Sequence, residues 1–147
     1  MDTIIRSYEE NDFESVKKML IDCFPEAAET LMETLNTKES FKLDKNKYIQ
    51  LVAVVENVVV GYSIVSRNFD PILKRYNFWI DYVCVNQEYR RRGIAKKLLL
   101  EIEKIAIDED VVLLQLTSSR FRTSARKLYS DIGYEIRESD IFRKVLK

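Results

Sequence analysis

The sequence predicts one mixed α/β domain, in which a sheet is flanked by helices. Runs of β-branched and aromatic residues, typical of strands, alternate with segments whose apolar residues recur at helical spacing. The predicted order is β-α-α-β-β-β-α-β-α-β-β, which indicates six to seven strands and about four helices. No linker or internal repeat divides the 147 residues, so we expect a single domain over residues 1–147.

The first third of the chain predicts one strand and two helices. Thr3–Ser7 is a short β-prone segment, and Asn11 and Glu14 have the spacing of a capping box. The apolar stripe that follows is Phe13, Val16, Leu20 and Cys23. Pro25 ends this helix. The stripe of a second, shorter helix is Ala28, Leu31, Met32 and Leu35. The polar, lysine-rich segment 37–47 is predicted as a loop.

The middle of the chain predicts a β-hairpin. The β-branched runs Ile49–Val55 and Val58–Val65 are separated by Glu56–Asn57, which is typical of a tight turn. Gly61 lies within the second run, where a glycine indicates a bulge or a close approach of another backbone. A loop is predicted over Asn68–Tyr76.

The remaining segments predict the rest of the sheet and two further helices. Phe78–Val85 is the central strand, and Val111–Leu116 is an apolar run typical of a fully buried strand. The apolar stripe of the first helix is Ile94, Leu98, Ile102 and Ile105. The stripe of the second is Ala125, Leu128, Tyr129 and Ile132. Gly133 stands where the second helix should stop. The runs Tyr134–Ile136 and Ile141–Leu146 predict a closing hairpin.

Composition excludes several classes of function. Lys+Arg and Asp+Glu both number 24, so no bulk charge attracts nucleic acid or an anionic membrane. The absence of histidine excludes Ser-His and Cys-His nucleophile pairs and His-based metal sites. Cys23 and Cys84 lie in apolar patterns, and we interpret them as core thiols in a reducing compartment. The sequence has no apolar run typical of a signal peptide or a membrane span, so we expect a cytoplasmic protein. We also expect no metal, nucleic-acid or membrane partner.

A basic turn that contains a glycine joins the central strand to the next helix. Its residues are Arg90, Arg91, Arg92, Gly93, Ile94 and Ala95. The first N–H groups of a helix have no intrahelical partner and carry partial positive charge, so they bind phosphate groups. Exposed arginines there are unfavourable by ~0.3–1 kcal/mol each, and a bound diphosphate would reverse that penalty. The alternative is a charged helix start whose glycine only eases the turn.

Three motifs resemble the GNAT superfamily of N-acetyltransferases, over nearly the whole chain. The family's acetyl-CoA motif, Arg or Gln-x-x-Gly-x-Gly or Ala, corresponds to Arg90–Ala95, and its third-strand glycine corresponds to Gly61. Its later motif, Ala-x-x-x-Tyr-x-x-x-Gly-aromatic, corresponds to Ala125, Tyr129, Gly133 and Tyr134. The two main motifs in this order and spacing are fairly specific. The resemblance implies a GNAT-like, mixed, mostly antiparallel sheet.

The resemblance also implies an activity. It implies direct transfer of the acetyl group from acetyl-CoA to a primary amine in a ternary complex, with a small molecule as the favoured acceptor. The cofactor would contact the Arg90–Ala95 turn and the backbone of Val83, Cys84 and Val85, one of whose N–H groups would polarise the thioester carbonyl. The resemblance places Arg122 beside the pantetheine arm of the cofactor, at a position where many members have Asn. It implies that Tyr129 donates a proton to the departing thiolate.

Asp81 is the candidate residue for the amine. It is the only acid between Phe78 and Val85, and its strand parity predicts the same side as Val83 and the opposite side to Cys84. Since several family members have a carboxylate there, we favour Asp81 as an ammonium anchor over a water-relayed base or a structural carboxylate. The implied acceptor pocket includes Phe24, at the end of the first predicted helix.

Two other functions stay open on the sequence alone. One is a non-catalytic acyl-CoA-binding or regulatory module with the same fold. The other is acetylation of a protein N-terminus or lysine. The sequence names neither the amine nor the oligomeric state, and a homodimer is one option.

Overall fold

The computed structural model describes residues 2–147, and this part of the chain contains five strands and four α-helices. The strands are β1 (Thr3–Ser7), β2 (Tyr48–Val55), β3 (Val58–Asp70), β4 (Arg75–Val85) and β5 (Leu114–Gln115). The helices are α1 (Phe13–Cys23), α2 (Ala28–Thr34), α3 (Ile94–Asp108) and α4 (Thr123–Asp131). The chain forms two compact units, which divide after Thr117, and α4 belongs to the second. The predicted mixed α/β class is confirmed, and the single domain stays a prediction.

The strands form one mixed, mostly antiparallel sheet in the order β1-β2-β3-β4-β5. Strands β1 to β4 pair antiparallel with their neighbours, and β5 pairs parallel with β4. The predicted hairpin between β2 and β3 is confirmed. Its turn residues Glu56 and Asn57 have φ values of 48° and 65°, as the tightest hairpin turns require at both central positions.

The β3–β4 connection is shorter than predicted. Segment 68–76 was expected to be a loop, but the strands continue through it to the pair Asp70–Arg75, leaving a turn of four residues. One carboxylate oxygen of Asp70 accepts hydrogen bonds from the backbone N–H groups of Ile72 and Leu73, at 2.9 and 3.0 Å. Cross-strand pairing together with this cap therefore overrides the loop-like composition.

The C-terminal part of the sheet is smaller than predicted. The buried strand expected over Val111–Leu116 is reduced to Leu114–Gln115, and the side chains of Val112 and Leu113 are exposed. Within residues 2–147 no strand follows Gln115, so the predicted hairpin of Tyr134–Ile136 and Ile141–Leu146 is wrong as a pair of strands. A further strand needs an edge with which to pair, and the two residues of β5 offer a short one.

The first unit buries apolar side chains on both faces of the sheet. One face packs against α1 through a cluster of buried residues: Phe13, Val16, Met19, Leu20, Leu35, Phe41, Val52, Val54, Tyr62 and Cys84. Phe41 comes from a short 3-10 turn that sequence analysis predicted as loop. The other face packs against α3 through Ile94, Leu98, Leu99 and Ile102. Helix α1 therefore lies on one side of the sheet and α3 on the other.

An ion pair between the buried Asp12 and the half-buried Arg6 fixes the entry to α1. Arg6 donates hydrogen bonds of 2.8 and 2.9 Å to the two carboxylate oxygens of Asp12, which also accepts one from the Glu9 backbone N–H at 2.8 Å. Burial alone would raise the pKa of Asp12, but these hydrogen bonds outweigh burial and lower it. The observed capping box is therefore Glu9 with Asp12, and the predicted box of Asn11 with Glu14 is wrong.

Gly61 allows the close approach predicted for it. A Cβ atom on Gly61 would lie 3.0 Å from Cγ2 of Ile94, 3.1 Å from Cβ of Ala53 and 3.2 Å from Cδ1 of Leu98. A register shift between β2 and β3 also makes the preceding residue, Val60, a bulge. Gly61 therefore brings the start of α3 against the sheet.

We expect Gly61→Val to destabilise the fold by about 1–3 kcal/mol, because its added atoms overpack the contact between β3 and α3. Gly61→Ala, which adds only the Cβ, should cost less. Denaturant unfolding measures both. In a double-mutant cycle, Leu98→Ala should reduce the cost of Gly61→Val because it removes one of the clashing groups. An unchanged unfolding midpoint for Gly61→Val would show that the contact is loose.

Candidate active site

Strand β4 has a bulge at the residue predicted to bind the amine. The partners of Ile64 and Val65, which are adjacent on β3, are Tyr82 and Ile80 on β4. Asp81 is therefore an extra residue without a partner on β3. A bulge of this kind re-aims the side chains around it.

The bulge changes the side of the sheet that Asp81 faces. Its carboxylate accepts a hydrogen bond from the Ser66 hydroxyl. Ser66 lies on the same face of β3 as Tyr62, the face that packs against α1, and Cys84 pairs with Tyr62. The parity argument that placed Asp81 with Val83 and opposite Cys84 is therefore wrong, because the extra residue shifts the alternation by one.

An aromatic pair lies on the same face of the sheet as Asp81. The rings of Phe24 and Tyr82 meet edge to face, with centroids 5.1 Å apart and an interplanar angle of 83°. Phe24 directly follows α1, and Tyr82 follows Asp81 on β4. Asp81 and Tyr82 are both exposed. The structure therefore brings Phe24 to β4, and a carboxylate and an aromatic pair share one face there.

The other edge of β4 is open over its second half. Strand β5 pairs only with Phe78 and Trp79, so the described part of the chain gives β4 no partner on that side from residue 80 onwards. The Val85 carbonyl faces this edge, where it accepts a hydrogen bond of 3.3 Å from Nε of Arg90. Because backbone direction alternates along a strand, the N–H and C=O of Val83 face the same way. An extended ligand with amide groups can pair with such an edge.

The turn after β4 leads into an uncapped helix N-terminus. Gly93 is the N-cap of α3 and has left-handed backbone angles, with φ 75° and ψ 15°, and no side chain caps the helix there. Its carbonyl accepts the first α-helical hydrogen bond of α3, so the N–H groups of residues 94–96 have no intrahelical partner. Arg91 is also left-handed, with φ 65°. Left-handed residues in turns are a feature of the nests that bind anions with successive N–H groups.

The three arginines of this turn make different contacts. Arg90 contacts the Val85 carbonyl and also Cys23, with 3.5 Å between the Arg90 Nη2 and the Cys23 Sγ. The Arg92 guanidinium lies over the Tyr89 ring, 4.9 Å from its centroid. Arg91 is exposed. Sequence analysis treated the three as equivalent, whereas the structure gives Arg90 a place against the strand and Arg92 a place on an aromatic ring.

Tyr129 lies on α4, in the second unit. It is half-buried, and its ring centroid is 6.0 Å from that of Tyr134. Burial raises the pKa of the Tyr129 phenol, and the positive charge of Arg122 offsets part of that rise. The phenol is therefore protonated at neutral pH. The predicted helix stop is confirmed, since Gly133 follows α4 with φ 99°. The role of Tyr129 as proton donor stays a prediction.

Several features of this region were missed by sequence analysis. Ser66 and Tyr82 stand in runs that look like ordinary strand, and the bulge brings the Asp81 carboxylate to their side of the sheet. The left-handed conformation of Arg91 has no signal in a run of three arginines. An aromatic residue next to the only acid of the central strand was the one available hint for Tyr82.

Metal ligation and membrane crossing have separate structural requirements. Within residues 2–147 no group of three or more His, Cys, Asp or Glu side chains is placed to hold a metal ion. None of the helices in that range combines the length and the apolar character that crossing a membrane requires.

Comparison with known proteins supports the resemblance noted in the sequence. Human N-acetyltransferase 8 is 31% identical over 84 residues, which are 57% of this chain and 37% of that protein. The thialysine N-epsilon-acetyltransferase of Bos taurus is 28% identical over 75 residues, 51% of this chain and 44% of that protein. The chain therefore matches less than half the length of these relatives.

Solved structures share the fold. A possible acetyltransferase from Clostridium difficile 630 superposes with a TM-score of 0.83 and 21% identity, over 99% of this chain and 98% of that one. An aminoglycoside N-acetyltransferase in complex with CoA superposes with a TM-score of 0.76 and 17% identity, over 99% and 96% of the two chains. At these identities the likeness concerns the fold alone.

The sequence also matches a model built for an entire protein family. The sequence model described as the acetyltransferase (GNAT) family matches residues 13–134. This range includes the Arg90–Ala95 turn and the motif around Tyr129, and it covers well over half of the sequence. The chain therefore belongs to the GNAT acetyltransferase family.

Proposed function

We propose that this protein is an acetyl-CoA-dependent N-acetyltransferase whose acceptor is a primary amine, with a small molecule as the favoured substrate. The observation that carries this proposal is the open edge of β4, which leads directly into the free N-terminus of α3. The β4 edge provides main-chain groups for the extended pantetheine arm of the cofactor, and the α3 N-terminus provides N–H groups for its phosphates. Membership of the family and the amine acceptors named in relatives, such as ornithine and thialysine, support it.

The residues present fit acetyl-CoA. The N–H and C=O groups of Val83 and the N–H group of Val85 suit the amide groups of the cofactor's arm, while the backbone of Cys84 faces β3 by alternation. The first N–H groups of α3 and the exposed, left-handed Arg91 suit a diphosphate. A Cβ on Gly93 would meet nothing within 4 Å, so its surroundings leave room for a ligand. We also assign Arg122, at the start of α4, to the cofactor.

A backbone N–H group of β4 and the phenol of Tyr129 assist the acetyl transfer. Bound acetyl-CoA supplies an activated thioester. One of the outward N–H groups of β4, at Val83 or Val85, stabilises negative charge on the carbonyl oxygen, as an oxyanion hole does. Tyr129 donates its proton to the departing thiolate. Its raised pKa keeps that proton in place at neutral pH.

The acceptor half of the site is assigned to the α1 face of β4. An alkylamine has a pKa of about 10.4, so freeing its lone pair at pH 7 costs about 4.6 kcal/mol. A carboxylic acid, with an ordinary pKa near 4, is a weak base for that step. Asp81, held by Ser66, therefore anchors the ammonium group, and the amine loses its proton to bulk solvent before it attacks. Phe24 and Tyr82 contact the apolar part of the amine.

We expect acetyl-CoA to release free CoA with a panel of small primary amines, and not with the matching alcohols. Acetylated products are identified by mass spectrometry. With the best amine, Asp81→Asn should raise KM about tenfold, equivalent to about 1.4 kcal/mol of lost ammonium binding, while kcat changes less. Ser66→Ala, which keeps the carboxylate, is the matched control and should have a smaller effect.

Two results of this screen would overturn the proposal. Binding of acetyl-CoA without turnover of any amine would indicate a non-catalytic acyl-CoA-binding module. Turnover of peptide N-termini or lysines, with no small amine used, would place the activity on proteins.

We expect Tyr129→Phe to lower kcat about 100-fold with the best amine, because general acids contribute roughly 10²–10⁴-fold. The loss should be largest at neutral pH, where the thiolate most needs a proton. Tyr134→Phe changes the neighbouring phenol and is the control. If kcat of Tyr129→Phe equals that of the unaltered protein from neutral to alkaline pH, Tyr129 is not the proton donor.

A further inference from the structure

Cys23 and Cys84 both contribute to the packing on the α1 face of the sheet, and the proposed chemistry uses neither thiol. Cys23 is the last residue of α1 and is half-buried, whereas Cys84 lies on β4 and is only 4% exposed. Cys23 packs against the core cluster that contains Cys84. Sequence analysis interpreted both as core thiols. Cys84 is one, but Cys23 lies at the margin of the core, where small molecules can reach it.

The Cys23 sulfur lies beside a backbone carbonyl and a guanidinium group. The Val85 carbonyl oxygen is 3.6 Å from its sulfur, and a guanidinium nitrogen of Arg90 is 3.5 Å away. Arg90 is itself held by that same carbonyl at 3.3 Å. A positive charge is therefore fixed beside the sulfur and favours its thiolate form.

The two thiols have opposite acid strengths. A hydrogen bond from Cys84 is the largest influence on Cys23 and, together with Arg90, outweighs burial to lower its pKa to about 6. The same hydrogen bond and burial raise the pKa of Cys84 well above its ordinary value. At neutral pH the pair therefore consists of an accessible thiolate and a buried neutral thiol. This is the arrangement of a nucleophilic cysteine with a resolving cysteine beside it.

We propose that Cys23 is a site of oxidation by hydroperoxides and that Cys84 resolves it as an intramolecular disulfide. The Cys23 thiolate attacks one peroxide oxygen and the O–O bond breaks. Cys23 becomes a sulfenic acid, and with one proton from solvent the other oxygen leaves as water from hydrogen peroxide or as an alcohol from an organic hydroperoxide. The Cys84 thiol then attacks the Cys23 sulfur, the S–O bond breaks, and the hydroxyl group leaves as water with the Cys84 proton. The two thiols lose two electrons in total, and the peroxide gains them.

The position of Cys23 in the fold favours the second step. It is the C-terminal residue of α1, followed by Phe24 and the short 3-10 turn Pro25–Ala27. Terminal turns of helices adjust at lower cost than their interiors, so the Cys23 sulfur can move to disulfide geometry without disturbing β4. The bond would link α1 to β4 across 60 intervening residues.

The first test measures the thiolate. Alkylation of the reduced protein by iodoacetamide, followed by peptide mass mapping, should modify Cys23 before Cys84. Its rate should rise with a midpoint near pH 6. Arg90→Gln should shift this midpoint upward, and Arg91→Gln, the adjacent arginine, should leave it in place. A midpoint in the ordinary thiol range for the unaltered protein would overturn the assignment of Cys23 as the nucleophile.

The second test measures the disulfide. Hydrogen peroxide should convert the unaltered protein to a species lighter by two hydrogen atoms, with a linked Cys23–Cys84 peptide that dithiothreitol separates. Cys84→Ser should instead accumulate a dimedone-reactive sulfenic acid at Cys23, and Cys23→Ser should leave Cys84 unoxidised. Sulfinic acid at Cys23 without linkage in the unaltered protein, disulfides between chains, or oxidation of Cys84 in Cys23→Ser would each overturn the proposal. None of these readouts depends on acetyltransferase activity.

Discussion

The close contact between β3 and α3 at Gly61 is the constraint on which the rest of the site depends. Gly61 pairs with Val85, the last residue of β4, and its missing side chain admits Ile94, the first residue of α3. One residue thus fixes both where the strand ends and where the helix begins. The connection between these points must reverse the chain within the eight residues 86–93, and its left-handed residues are Arg91 and Gly93. The free N–H groups at the start of α3, to which we assign the diphosphate, are therefore placed by packing as well as by the sequence of the turn.

The proposed function assigns two roles to strand β4. The open edge offers main-chain groups of Val83 and Val85, which do not depend on side-chain identity. Tyr82 faces α1 by regular alternation, as Cys84 does, and the bulge at Asp81 turns a carboxylate to the same face, near Phe24 at the end of α1. A regular strand would have placed Asp81 on the α3 face with Val83. The extra residue therefore allows cofactor and acceptor to be assigned to different sides of one strand.

Sequence analysis predicted features that local chemistry determines. The stripes of α1 and α3, the turn at Glu56–Asn57 and the stop at Gly133 all follow from spacing or from left-handed backbone, and all are confirmed. The failures concern pairing between distant residues. The bulge at Asp81, the extension of β3 and β4 through segment 68–76 and the shortened β5 depend on which strand edge is available, and a single sequence carries no record of that. The contact of Cys23 with Arg90 joins residues 67 positions apart and was missed for the same reason.

The most direct test of the account is a titration of the isotopically labelled protein with CoA, followed through its amide NMR signals. CoA carries the arm and phosphates without the acetyl group, so it reports on the β4 edge and the α3 N-terminus without turnover. The account predicts saturable changes that are largest at the amides of Val83, Val85 and residues 94–96. Saturable changes centred on another part of the chain, or no saturable change, would contradict it.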